Sequence, residues 1–212
     1  MIGTTVKTSS PDFIIDCFKK VFSKFHIVAD EETLRSSRGK DKRVMIEEVL
    51  ASNKQPVQIA GKILTVFNRA ISNCIADFKE MEGVEMVFNF LKARRIKTGI
   101  GSGLSEEIFN SVYNHLNWDK YKFDFIDISE KLGKSRPDPA MILDMMKKLQ
   151  IGNASEFLKV GDTIADIQEG KNAGVKTAVL LSGTQTEEML RKENPDYVLH
   201  SFSDLLKLPL WQ

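Results

Sequence analysis

The sequence predicts an α/β protein: a doubly wound parallel sheet with a small helical domain inserted near its start. Strand-like and helix-like patterns alternate through residues 96–212, which is typical of β-α-β units. Residues 12–80 instead carry helix-period apolar patterns and no convincing strand. Two apolar runs end in glycine turns, at Gly99–Ser105 and at Gly161, as strands do at the carboxyl edge of a parallel sheet.

The alternating part of the chain divides into short strands joined by helices. Strands are expected at Ile96–Ile100, Phe123–Ile128, Phe157–Val160, Val175–Leu181 and Tyr197–Leu199. Helices are expected at Ser105–Leu116, Pro139–Leu149 and Thr186–Lys192, with another that closes at Ala173-Gly174. Because crossovers between parallel strands are right-handed, the loops that follow the strands gather at one edge of the sheet.

The first third of the chain carries apolar side chains at helical spacing. They fall into three groups: Phe13, Ile14, Cys17, Phe18, Val21 and Phe22; Val44, Met45 and Val49; and Ile63, Leu64, Phe67, Ala70, Ile71 and Ile75. We therefore expect residues 11–83 to form a helical lobe, and residues 1–10 and 84–212 to form the α/β core.

Composition limits the classes of partner. A chain of 212 residues can bury one core and a modest second lobe, and a net charge of +1 gives no reason to expect nucleic acid or an anionic membrane. Cys17 and Cys74 have no metal or redox spacing, so we expect buried or half-buried thiols in a reducing compartment. No secretory signal or membrane-spanning run is recognisable, which favours a cytoplasmic protein. The sequence does not decide between a monomer and a homodimer.

Asp162 and Asp166 are the most informative pair of residues. Asp162 follows the apolar run that ends at Gly161, and Asp166 lies one helical turn later. Carboxylates this close repel each other unless a cation lies between them, and their hard oxygens suit Mg²⁺. The alternative is structural, with Asp162 as a helix cap and Asp166 as a first-turn acid favoured by the helix dipole.

Three other loops are expected at the same edge of the sheet. Gly99–Ser105 follows a strand and opens a helix, so its N–H groups and the Ser102 hydroxyl suit a phosphate, although a plain glycine turn is the alternative. Leu104 replaces the last glycine of a dinucleotide fingerprint, which argues against a nicotinamide or flavin site. Ile2–Val6 supplies a glycine turn with two hydroxyls, and Gly133–Pro139 places Arg136 before a helix.

In this order the segments resemble the haloacid dehalogenase superfamily of phosphohydrolases, and within it the phosphonatase-like and β-phosphoglucomutase-like members with a helical cap. The resemblance covers nearly the whole chain and implies a Rossmann-like core, with residues 11–83 as the cap. It also implies Mg²⁺ as cofactor, a small phosphate or phosphonate substrate, and two-step phosphoryl transfer through an aspartyl-phosphate.

The resemblance assigns roles to individual residues. Ser102 and Gly103 are expected to bind the phosphate together with Gly3, and Arg136 to pair with the nucleophile and the phosphate. Thr4 belongs to the first catalytic motif. For the metal, the resemblance implies Asp162 as a direct ligand, Asp166 as the carboxylate that anchors the waters of the ion, and the main-chain carbonyl of Ile2 as a further ligand.

The first departure from the family pattern concerns the nucleophile. Aligning Gly3-Thr4-Thr5 with the family's first motif places the nucleophilic aspartate one residue before Met1, together with the central strand that delivers it. A sheet without its middle strand leaves two inner edges unpaired. The sequence therefore predicts a start assigned about ten residues late, and a polypeptide that is poorly stable and inactive as given.

The second departure concerns the acid/base. Ile2 stands where phosphatases and phosphomutases of the family carry an acid/base aspartate, and phosphonatases use a Schiff-base lysine of the cap instead. Lys42 matches the position of that lysine. Met45, however, stands where those enzymes carry a histidine three residues after it, and Arg38 stands where they favour a methionine just before the glycine. Lys42 is therefore a Schiff-base candidate, a substrate-phosphate contact or a solvated lysine.

The leading hypothesis is a Mg²⁺-dependent, phosphonatase-like phosphohydrolase. A phosphomutase of the same family is one alternative, which Ile2 disfavours. Another is a non-catalytic module that keeps the metal and phosphate contacts without turnover. A response-regulator receiver shares the doubly wound sheet, but the helical insertion and the Arg136-Pro137 loop argue against it.

Overall fold

The structure, a computed structural model, describes residues 1–211 and confirms the α/β class. Its strands are β1 (Val6–Lys7), β2 (Lys79–Glu80), β3 (Gly99–Ser102), β4 (Phe125–Ile128), β5 (Leu158–Gly161), β6 (Lys176–Leu180) and β7 (Tyr197–Leu199). Its helices are α1 (Phe13–Ser23), α2 (Glu31–Ser36), α3 (Lys42–Ser52), α4 (Ala60–Ser72), α5 (Val84–Ala93), α6 (Glu106–His115), α7 (Ser129–Leu132), α8 (Ala140–Lys148), α9 (Ile164–Asn172) and α10 (Glu187–Lys192).

The parallel strands form two separate sheets rather than one. β3 pairs with β4, and β5, β6 and β7 pair in that order, all of them parallel. In the part of the chain that the structure describes, no ladder joins β3 to β5. The carboxyl ends of β3 and β5 nevertheless face the same edge, where Ser102 and Asp162 lie.

A cavity of about 220 Å³ lies between the two parallel sheets. β3 lines it through Gly99, Ile100 and Gly101, and β5 lines it through Leu158–Val160. The family resemblance implies a central strand in this place, and within residues 1–211 the two inner edges have no backbone partner here.

The helical lobe is built from α1 to α4, which bury the predicted apolar stripes. Phe18 of α1 stacks on Phe67 of α4 with 4.1 Å between ring centroids. Cys17 is buried and Cys74 half-buried, and both are free thiols, as expected. The expectation that residues 12–80 contain no strand is wrong at Lys79–Glu80, where β2 pairs antiparallel with β1. A two-residue strand is too short to show a period.

Close helix packing fixes the loops at the site edge. α9 lies against β5 and β6, where Gly170 approaches the side chain of Thr177 so closely that a Cβ would overlap it. Ile167 of α9 packs with Val179 and Leu190 in a small apolar cluster. Because α9 is held in this way, Asp166 in its first turn has a fixed position. Within residues 1–211, no helix is long and apolar enough to cross a membrane.

Candidate active site

The predicted site residues meet at a small pocket of about 40 Å³. One wall comes from the α/β core and the other from the α2–α3 loop of the helical lobe. The core wall contains Ser102, Gly103, Leu104, Arg136, Asp162, Thr163 and Asp166, and the lobe wall contains Arg38, Gly39 and Lys42, with Met1, Ile2 and Ile14 beside them. Segments that are far apart in the sequence thus share one enclosed polar space.

Asp162 lies at the bottom of the pocket, directly after β5. Its Oδ1 accepts a hydrogen bond of 2.8 Å from the Thr4 hydroxyl. Its Oδ2 is buried and has no hydrogen-bond partner within residues 1–211. Gly3 and Gly183 lie so close to this carboxylate that a Cβ on either would overlap it. Burial and the neighbouring Asp166 raise the pKa of Asp162, and a cation bound at this carboxylate would favour its ionised form.

Asp166 belongs to a buried ion quartet with Arg136, Lys159 and Glu169. The Nε of Arg136 lies 2.9 Å from Glu169 Oε2 and 3.3 Å from Asp166 Oδ1. The Nζ of Lys159 lies 2.7 Å and 2.9 Å from the same two oxygens. The Thr163 hydroxyl donates to Asp166 Oδ2 at 2.6 Å. Both cations are thus held by both carboxylates.

Contacts within the quartet shift the pKa values of Asp166 and Arg136. Burial opposes ionisation, but Lys159 and Arg136 lower the pKa of Asp166 well below its usual range. Burial likewise acts against the charge of Arg136, but the Glu169 and Asp166 carboxylates raise its pKa above the ordinary value. Asp166 and Arg136 therefore both carry charge at neutral pH. Arg136 and Lys159 therefore supply the positive charge that compensates the Asp166 carboxylate.

Ser102 ends β3 and is almost fully buried. Its Oγ accepts a hydrogen bond of 3.2 Å from the N–H of Leu104, so its own proton is free to donate to a ligand. Gly103 packs against the Lys40 carbonyl, and a Cβ there would come within 2.8 Å of that oxygen. A serine hydroxyl and a close main chain are suited to bind phosphoryl oxygens.

The lobe wall carries two buried cations. Lys42 is 7% exposed, and its Nζ donates to the Lys40 carbonyl at 3.2 Å. Burial and the nearby Arg38 guanidinium lower the pKa of Lys42 to about 7. Burial also lowers the pKa of Arg38, which remains a cation at neutral pH. An amine that is partly neutral at neutral pH thus lies beside a fixed positive charge.

Hydrogen bonds anchor the α2–α3 loop onto the core. Arg136 Nη1 donates to the Gly39 carbonyl at 2.8 Å, and the N–H of Asp41 donates to Ser135 Oγ at 2.8 Å. Ser129 Oγ donates to the Asp41 carboxylate at 2.7 Å. The lobe therefore closes the pocket from above.

The structure brings the sequence-predicted residues together. Seven of them line the pocket: Ile2, Lys42, Ser102, Gly103, Arg136, Asp162 and Asp166. Gly3 and Thr4 contact Asp162 from behind. The roles assigned to these residues remain predictions.

Sequence reasoning missed Lys159 and Glu169, and noticed Arg38 only as a departure from the family pattern. Lys159 lies in a strand and Glu169 in a helix among ordinary charged residues, so neither stands out. The one available signal was spacing, because Glu169 lies almost one turn beyond Asp166 on the same face of α9.

Comparisons with known proteins identify the family of the chain. The sequence model of the haloacid dehalogenase-like hydrolase family matches residues 3–180. Since the match spans most of the 212 residues, the chain belongs to this family of hydrolases.

Curated relatives include enzymes that act on small phosphonates or phosphates. The chain is 28% identical over 196 residues to the phosphonoacetaldehyde hydrolase of Bacillus cereus (strain G9842), covering 84% of this chain and 73% of that one. It is 32% identical over 168 residues to the phosphoglycolate phosphatase of Aquifex aeolicus (strain VF5), covering 78% and 74%. The chain is therefore similar to phosphatases and phosphonatases within the family.

Solved structures show the same fold. A phosphonoacetaldehyde hydrolase-like protein from Oleispira antarctica superposes with a TM-score of 0.83 at 20% identity, covering 97% of this chain and 87% of that one. A hydrolase from Pseudomonas syringae superposes with a TM-score of 0.86 at 18% identity, covering 97% and 93%.

Proposed function

We propose that this chain carries the metal and phosphate site of a Mg²⁺-dependent, phosphonatase-like phosphohydrolase, an enzyme that acts on a small organophosphate or phosphonate. The observation that carries the proposal is the convergence of Ser102, Arg136, Asp162 and Lys42 on one pocket of about 40 Å³. The site combines hydroxyl and main-chain donors with a carboxylate and buried cations, which suits a phosphoryl group and its counter-ion.

The residues present fit a magnesium ion. Asp162 Oδ2 is a buried carboxylate oxygen without a partner within residues 1–211, and Mg²⁺ prefers such hard oxygens. Asp162 would bind the ion directly with the Ile2 carbonyl, and Asp166 would hold its waters. Within residues 1–211, no three or more His, Cys, Asp or Glu side chains are grouped so that they could hold a metal, so the proposed site would also depend on the Ile2 carbonyl and on waters. When bound, the ion would neutralise charge on the phosphoryl oxygens.

The protein's own groups bind and orient the phosphoryl group. The Ser102 hydroxyl and the N–H groups of its loop donate to phosphoryl oxygens, and the Arg136 guanidinium adds positive charge. Glu169 and Asp166 keep that guanidinium in place through contacts of 2.9 and 3.3 Å. The lobe wall excludes bulk water from the same space.

The nucleophile is the part of the proposal that these 212 residues do not supply. Residues 1–8 contain no aspartate, and the resemblance places the nucleophile directly before Met1. We therefore expect these 212 residues to bind metal and phosphate but to form no aspartyl-phosphate and to show no hydrolysis.

Metal binding can be tested without turnover. Mg²⁺ with orthophosphate should raise the thermal midpoint of the chain by about 3 °C or more at saturating concentrations. Asp162→Asn removes the proposed direct ligand and should abolish the shift. Glu188→Gln makes the same change of charge at an exposed site on α10 and should keep it. An unchanged shift in Asp162→Asn would show that the ion binds elsewhere.

Lys42 supports a second candidate, phosphonoacetaldehyde hydrolysis. Its burial and its pKa of about 7 leave much of the amine neutral at neutral pH, as nucleophilic attack requires. The Lys42 nitrogen would attack the aldehyde carbon, and the carbonyl oxygen would leave as water to give an imine. Borohydride would then deliver hydride to the imine carbon and fix a secondary amine.

The trapping experiment needs no nucleophilic aspartate. Treatment with phosphonoacetaldehyde and borohydride should label one peptide, which contains Lys42, and Lys42→Ala should abolish this label. Lys62→Ala, an exposed lysine on α4, serves as the matched control. Labelling that is spread over surface lysines and survives in Lys42→Ala would remove this candidate.

A further inference from the structure

We propose that Arg38 is a specificity-determining residue that binds a second anionic group of the substrate, a carboxylate or a further phosphate on the leaving-group side. This inference rests on the proposed phosphate site and narrows its substrate class. It starts from a buried guanidinium that forms none of the ion pairs found within residues 1–211.

Arg38 is 4% exposed, and the carboxylates that act on its charge, Asp162 foremost, form no ion pair with it within residues 1–211. Its Nε is enclosed and has no hydrogen-bond partner within residues 1–211. It takes part in none of the ion pairs found in that range, unlike Arg136, which binds both Glu169 and Asp166. A buried charge without a partner is costly, so a residue of this kind is expected where a ligand supplies the missing anion.

The two walls of the pocket assign Arg38 to the leaving group. Ser102, Arg136 and Asp162 belong to the core wall, where the phosphoryl group is expected. Arg38 in the α2–α3 loop and Lys42 at the start of α3 belong to the opposite wall. A substrate held by its phosphoryl group at the core therefore presents its remaining atoms to Arg38.

Guanidinium chemistry selects the class of that remaining group. The planar guanidinium group can donate two parallel hydrogen bonds to a carboxylate or a phosphate. A neutral aldehyde or alkyl group would leave its charge uncompensated. The pocket is only about 40 Å³, which favours a short spacer between the two anionic groups. The preferred ligand is thus a small phosphomonoester or phosphonate with a second anion, rather than one with a neutral leaving group.

A pair of nearly isosteric ligands tests this inference by binding alone. Phosphonoacetate and phosphonoacetamide differ in one terminal group, a carboxylate against a neutral amide. Calorimetric titration of the chain with Mg²⁺ present should give a dissociation constant about tenfold or more lower for phosphonoacetate. Equal affinities in the unaltered protein would overturn the inference, whatever happens to any variant.

Variants separate the second anion from the phosphoryl group. Arg38→Gln should lose the preference for phosphonoacetate while its affinity for inorganic phosphate changes less than about threefold, and Arg38→Lys should keep part of the preference. Arg43→Gln, which removes an exposed arginine of the same segment, is the matched control. If Arg38→Gln weakens inorganic phosphate as much as phosphonoacetate, Arg38 binds the phosphoryl group and the inference is wrong.

The same titrations distinguish a failure of the proposed function from a failure of this inference. If the unaltered chain binds neither Mg²⁺ nor inorganic phosphate, the proposed function fails and the inference fails with it. If it binds phosphate but does not distinguish carboxylate from amide, only the inference fails.

Discussion

Lys42 shows how one buried residue links stability to pH. Its neighbours include Arg38, Asp41, Arg136 and Asp162, and burial is the main reason why its pKa falls from 10.5 to about 7. Between these two values the unfolded chain holds the extra proton, so the stability of the protein rises with pH. The cost of burying this ammonium is greatest below pH 7.

We expect Lys42→Met to raise the free energy of unfolding by about 2–4 kcal/mol at pH 6.5, because it removes a desolvated cation. The gain should shrink steadily as the pH rises toward 10. Urea denaturation at pH 6.5, 8 and 9.5 measures it.

The control for this prediction is Lys62→Met, which replaces an exposed lysine on α4. This variant should change stability little, by about 0.5 kcal/mol or less, at every pH. A gain in Lys42→Met that is the same at all three pH values would show that packing, rather than the charge, causes it.

At the scale of elements, Glu169 joins α9 to β5 and to the Arg136 loop. It is fully buried, and its Oε2 contacts both Lys159 and Arg136. Glu169→Ala leaves two buried cations with one carboxylate, which should cost about 3–5 kcal/mol of unfolding free energy. Chemical denaturation gives this value directly.

A second substitution tests the cause of that loss. Adding Lys159→Met to Glu169→Ala removes one of the uncompensated cations, so part of the stability should return. Glu188→Ala on α10 is the exposed control and should be nearly neutral. A loss below about 1 kcal/mol in Glu169→Ala would mean that the quartet does not hold these elements together.

The elements show what sequence periodicity can and cannot reveal. Helix α8 was expected at Pro139–Leu149 and runs over Ala140–Lys148, because an apolar stripe and an entry proline mark such a helix clearly. The two-residue strands β1 and β2 carry no period, and β2 was missed. The extra turn α7 was missed for the same reason.

The residues of the candidate site also differ in how far the sequence reveals them. Asp162 and Ser102 were identified because each follows a strand and a glycine, which a sequence displays. Lys159 and Glu169 depend on burial, and burial arises only when α9 packs against β5. Arg38 could be recognised as unpaired only after its neighbours were placed around it.

At the scale of the whole molecule, the cavity between the two parallel sheets is the dominant feature. Its volume of about 220 Å³ is lined on both sides by strand backbone, and Thr4 and Met1 reach it from the first loop. Apolar walls and unpaired strand edges both favour occupation by an extended apolar segment. This cavity adjoins the site, since Asp166 and Glu169 line it as well.

We therefore expect a designed N-terminal extension to stabilise the molecule. About six apolar residues that end in Phe-Asp directly before Met1 should fill the cavity, pair with β3 and β5, and raise the thermal midpoint by about 5 °C or more. The same extension places a carboxylate beside Asp162, so Mg²⁺-dependent hydrolysis of an aryl phosphate should appear.

Two matched extensions separate the structural effect from the chemical one. An extension that ends in Phe-Asn should stabilise equally but give no hydrolysis, since an amide is a poor nucleophile toward phosphorus. An extension interrupted by prolines cannot pair with the strand edges and should give neither effect. Hydrolysis by the Phe-Asn form at the rate of the Phe-Asp form would show that the added aspartate is not the nucleophile. Equal midpoints with and without the apolar extension would show that the cavity does not accept a strand.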